Sequence, residues 1–91
     1  MSTPEQRREL FNDTIKKLSL SQGHVARWMS LKNTKQTRES VSRKVRGQVG
    51  VTSKDVALVK MLELLDQHHY DLTSVEFSEN GEILVLDKKG S

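Results

Sequence analysis

Thr37-Arg38-Glu39-Ser40-Val41-Ser42-Arg43-Lys44-Val45-Arg46-Gly47 carries four cations, three hydroxyls and only two apolar side chains with helical spacing, Val41 and Val45. The spacing predicts a helix opening at Gln36 or Thr37, running to about Arg46 and stopping at Gly47, since glycine past the last turn is a common left-handed stop. Two valines are a thin stripe for a helix held on a protein, so its outer face is expected to serve a second purpose. The surrounding charge says which. Residues 24–54 hold eight Lys or Arg against one acid, Glu39, a net +7, whereas residues 1–23 carry +1 and residues 55–91 carry −5. The total of +3 conceals that segregation. A cationic face on a compact helical scaffold suits a polyanion, nucleic acid first.

Working outward, the flanking segments supply the scaffold. Pro4 to Leu18 reads as a first helix, with Thr3 as cap, Pro4 at the first helical position, and Leu10, Phe11, Thr14, Ile15 and Leu18 on one stripe. Arg7, Arg8, Lys16 and Lys17 fall mostly on its solvent side. Ser21 to Met29 reads as a short second helix with Val25, Ala26 and Met29 inward and Trp28 half buried. Residues 30–37 form a polar, basic connection. Thr52 or Ser53 caps a fourth helix, from about Lys54 to Gln67, whose wide apolar arc marks it as the most buried element.

Beyond residue 70 the period changes from helical to alternating. Thr73 to Ser78 and Glu82 to Asp87 flank Asn80-Gly81, a hairpin signal. A two-residue turn would pair Phe77 with Leu84 and Val75 with Leu86; a three-residue loop with a bulge would set Ile83 and Val85 opposite them. Either way Ile83-Leu84-Val85-Leu86 is apolar on both faces. A two-stranded ribbon cannot bury both, so Val75, Phe77, Ile83, Leu84, Val85 and Leu86 are expected at a homodimer interface. The fold class predicted is mainly α: a four- to five-helix helix-turn-helix domain over residues 1–70, followed by a C-terminal β-hairpin over residues 71–91 that serves dimerisation.

Residues 21–65 resemble the helix-turn-helix of the phage Cro and lambda-repressor family, also called Xre-like regulators. The matching pieces are Ser21-Gln22-x-x-Val25-Ala26, then Val41-Ser42-Arg43-x-x-Arg46-Gly47, then the apolar fourth helix. The separation of Ala26 from Val41, 15 residues, exceeds the family's by roughly five, and Lys44 stands where the family usually buries Leu or Trp. The resemblance implies that the third helix enters a major groove of double-stranded DNA. It places Arg38, Ser40 and Arg43 at base edges, with Gln36, Thr37 and Glu39 beside them; arginine grips guanine through two parallel hydrogen bonds. It gives Gln22, Arg27, Lys32, Lys35, Ser42, Lys44 and Arg46 to phosphates, contacts that set position without reading sequence. Such a protein would be a dimeric repressor acting on an inverted-repeat operator.

Other classes fare worse. No cysteine is present, which removes disulfides, thiolate metal sites and cysteine nucleophiles. His68-His69 with only His24 elsewhere is too little for a metal site. No catalytic grouping has suitable spacing, so neither enzymatic activity, a small-molecule substrate nor a cofactor is expected. No apolar run approaches the roughly 20 residues of a membrane span, and no signal-peptide pattern is seen, which together predict a cytoplasmic protein. Glu39 and Arg43 are spaced for an intrahelical pair. The competing function class is a protein-interaction module, an antitoxin or an inhibitor of a nucleic-acid-processing protein, working through the apolar ribbon.

Overall fold

A computed structural model of the chain describes residues 3–90. Four helices, α1 (Pro4–Leu18), α2 (Gln22–Ser30), α3 (Lys35–Val45) and α4 (Ser53–Gln67), precede two short strands, β1 (Glu76–Phe77) and β2 (Ile83–Val85). The fold is therefore mainly α with a C-terminal antiparallel hairpin, as the periodicities require.

Each helix opens on a reciprocal capping box, in which a cap hydroxyl accepts a backbone N–H three residues on and that residue's side chain returns to the cap N–H. Thr3 and Gln6 do this for α1, Ser21 and His24 for α2, Thr52 and Asp55 for α4. In α3 the pair is Thr34 with Thr37. That box moves the start of α3 upstream of the expected Gln36 or Thr37, to Lys35. The connection 30–37 shrinks accordingly to residues 31–34.

Phe11, Val25, Ala26, Val41, Val51 and Val59 form one buried cluster, edged by Ile15, Leu20, Met29, Val45 and Val56. Each of the four helices gives it at least one residue. Gly23, as well as Val25 and Ala26, is buried on α2, and Gly23 faces the Asn33 side chain in the connection before α3. Leu10 departs from its expected inward place and is 42% exposed. α4 is a larger departure. It buries only Asp55, Val59 and Leu62, leaving Met61 60% and Leu64 54% exposed. Its apolar arc is wider than the rest of this chain can cover.

Arg7 and Arg8 do not lie idle on the solvent side. Arg7 Nε donates to Val51 O at 2.8 Å, Arg8 Nε to Val45 O at 3.1 Å, and Asn12 Nδ2 to Val45 O at 3.0 Å. Carbonyls near the end of a helix lack intrahelical partners, and α1 supplies them for α3. Gly47 then turns the chain at φ 79° directly beneath the Arg8 guanidinium.

The hairpin is shorter than expected. Phe77 faces Ile83, as in the bulged alternative, but a register irregularity then sets Val85 opposite Glu76 rather than Val75. Farther from the turn, Tyr70 bridges to Lys88, and Asp71 N–H donates to Asp87 O at 2.7 Å. The ribbon rests on α2: Trp28 Nε1 donates to Leu72 O at 2.9 Å, Arg27 Nη1 to Val75 O at 3.3 Å, and Trp28 meets Phe77 edge to face at 5.3 Å. Leu72 and Val75 are consequently buried, and Lys89 pairs with Asp66 at the end of α4.

Candidate nucleic-acid interface

The architecture exposes α3. Val41 is its only buried residue, while Lys35, Gln36, Arg38, Glu39, Ser40, Arg43 and Arg46 are exposed and Ser42 is half buried. Successive helical residues are turned by about 100°. Relative to Val41, Glu39 and Arg43 therefore project about 160° away, at the outermost line of the helix, with Gln36 and Arg46 about 140° away. Lys35 and Ser40 follow on the shoulders. Of the cations in residues 37–47, Arg43 and Arg46 lie on this outward face, alongside the acid Glu39.

Several named residues are otherwise engaged. Lys44 is the clearest correction to the phosphate set. Its Nζ lies 2.6 Å from Asp55 Oδ2, and the two side chains are only 17% and 10% exposed. Burial works against ionisation of Asp55, but the hydrogen bonds from Lys44 and the Thr52 N–H, with the lysine's charge, hold its carboxyl below the usual 3.8. A charge so placed joins α3 to the first turn of α4. It does not face outward. Arg27 is the second correction: it is half buried and directed to the hairpin carbonyl of Val75.

Thr37 is committed to structure as well, its hydroxyl donating to the Lys32 or Thr34 carbonyl and accepting from the Thr34 N–H at 2.9 Å. Arg46 Nε makes a long contact with Ser42 O inside the last turn, at 3.4 Å. The expected Glu39–Arg43 ion pair does not form, whereas Lys17–Glu63, Lys44–Asp55, Lys60–Glu63 and Lys89–Asp66 are among the ion pairs of the described residues. Arg43 is left with its guanidinium presented to solvent. Gln22, at the first position of α2, Lys32, in the turn before α3, and Lys35, at the first position of α3, are likewise exposed.

Of the residues assigned to a dimer interface, Val75 is 1% exposed and belongs to the interior, because the α2 side chains draw that arm inward. Phe77 is half buried against Trp28. Ile83 at 51% and Leu84 at 63% are exposed, and Val85 and Leu86 are half buried. Leu31, 42% exposed, extends that apolar surface: its Cδ1 approaches the tip glycine, Gly81, and it shares a shallow depression with Phe77 and Leu84. Sequence reasoning overlooked Leu31 and Gly23, took Asn33 only as a turn former, and placed the two α1 arginines on the solvent side rather than on the Val51 and Val45 carbonyls. Only Gly23 left a signal, a glycine inside a helix.

Among the described residues, no cluster of His, Asp or Glu is arranged to hold a metal ion, and no helix is long and apolar enough to cross a membrane. No protein-family model, curated protein or solved structure matches the chain.

Proposed function

We propose that this protein is a sequence-specific DNA-binding regulator of the Cro-like kind, laying α3 in a major groove and acting as a homodimer on an inverted repeat. One observation carries the reading: Val41 is the only buried residue of α3, and a line of Gln36, Glu39, Arg43 and Arg46 is turned away from the body. Long side chains able to hydrogen-bond base edges and phosphates, on a helix unobstructed by its own fold, suit a groove wide enough for a helix. Gln22, Lys32, Lys35 and Arg46 supply phosphate contacts around it, and a dimer sets paired helices about 34 Å apart on one duplex face. Repression follows when the dimer lies across a promoter.

The test is binding to duplex from upstream of the protein's own coding region, compared with random duplex of equal length. Binding at least about 1000-fold tighter is expected of a specific regulator. Equal affinity for both removes sequence-specific control. A second reading, a protein-interaction module, is favoured by the apolar surfaces left over, Ile83 and Leu84 on the ribbon and Met61 and Leu64 on α4. Light scattering of the protein alone separates the two. A tight homodimer supports the regulator, and a monomer with the ribbon exposed supports the module.

A further inference from the structure

Arg38 and Arg43 are the two arginines of α3, Arg38 near its start and Arg43 in its last turn, and the structure treats them differently. Arg43 projects about 160° from the buried Val41, whereas Arg38 projects only about 60° from it, on the flank of the helix. Arg38 is also turned back toward the start of the helix. Its Nη1 donates to Asn33 Oδ1 at 2.8 Å, five residues earlier. The Asn33 amide lies against α2 at Gly23: a Cβ there would meet it at 2.9–3.0 Å, so a larger residue would displace the amide from its present seat. The turn itself is tied down by the Thr34–Thr37 box and by Thr37 Oγ1 donating to Lys32 O at 2.9 Å. Gly23, Asn33 and Arg38 therefore form a relay. It fixes a guanidinium beside the turn, where Lys32 is also exposed.

Resting on the DNA-binding reading, we propose that Asn33 is a positioning residue that holds Arg38 as a backbone-phosphate contact at the turn, leaving Arg43 as the arginine that reads bases. One Nη1 hydrogen is taken by Asn33, and the remaining guanidinium donors face solvent on the flank. A flank cation meets the groove wall, which is phosphate, while Arg43, at the outermost line, meets the base edges. Ordering the side chain beforehand spares the conformational cost of fixing it on binding.

The experiment uses the full chain and a duplex recovered by binding-site selection from a random pool, with affinities measured across salt concentrations. Arg43→Ala should blur the preference at one base pair. Arg38→Ala should leave the selected sequence unchanged, weaken all duplexes alike and lower the salt slope by about one. Asn33→Ala should weaken binding by about three- to tenfold with the slope retained, since its charge is unaltered. Gly23→Ala, which displaces the amide without removing it, should act in the same way.

The deciding measurement is coupling. Asn33→Ala and Gly23→Ala should have no further effect in an Arg38→Ala background, an outcome that a purely structural role in the turn would not produce. Additive losses, or a changed base preference in Arg38→Ala, overturn the proposal while leaving DNA binding intact. A wild-type chain that selects no sequence overturns the regulator reading and this one with it.

Discussion

Lys44→Met removes the ammonium that joins α3 to α4 while keeping the aliphatic stem, and its effect follows from the geometry. Breaking one side of a fully buried ion pair costs about 3–5 kcal/mol, and an exposed pair contributes about 0–1 kcal/mol. Here the side chains are 17% and 10% exposed, and Asp55 Oδ2 keeps the Thr52 N–H at 2.9 Å after the lysine is gone. The loss should lie between those limits, about 2 kcal/mol. For a chain of this size that lowers Tm by roughly 8–16 °C, since about 1 kcal/mol shifts it by 4–8 °C. Scanning calorimetry at neutral pH measures it.

The pH dependence has a definite sign. Asp55 is depressed in the folded state, so the pair's contribution is present above the unfolded value near 3.8 and lost as pH falls through the lower folded value. The Tm gap between wild type and Lys44→Met should therefore close in acid below that window. Salt dependence of DNA binding, measured well below both melting points, should be the same for the two proteins. An unchanged Tm together with a salt slope flattened by about one would show that Lys44 touches phosphate, and that the Asp55 contact is not its role.

Further expectations can be checked separately. Lys32→Ala should weaken every duplex alike and lower the salt slope by about one, read from affinity titrations at several salt concentrations. Leu84→Glu on the exposed ribbon should convert a dimer to monomer in sedimentation with little change in monomer folding, whereas Val75→Glu should unfold the chain, as seen by circular dichroism. Gly47→Ala should cost about 1–2 kcal/mol in denaturant unfolding, because φ is 79° there and Arg8 closes over the position at 3.1 Å. Phe11→Ala, which empties the centre of the core, should cost about 3–5 kcal/mol in the same assay.

The ends of α1 and α4 and the position of the hairpin turn were legible because their determinants are local, although the strands themselves are shorter than the alternation over 73–78 and 82–87 predicts. Thr3-Pro4 opens α1, Thr52 precedes an apolar arc, and Asn80-Gly81 separates two alternating runs. The start of α3 was misread because its cap partner is Thr37, a residue that completes the box through its hydroxyl but lacks the Glu or Gln by which such boxes are recognised. Charge segregation was legible too, since summing charges needs no coordinates.

What each cation does was a different matter, because a side chain's role depends on what stands opposite it. The amino-acid order alone determined the helical periods, the basic centre and the apolar ribbon. Tertiary packing decided that Lys44 faces Asp55, that Arg27 serves the hairpin, that Arg8 closes over α3, and that Val75 is interior. The partners in those contacts lie between 11 and 48 residues apart in sequence. No pattern confined to a single helix contains them; only the docking of one element on another brings them within hydrogen-bond distance.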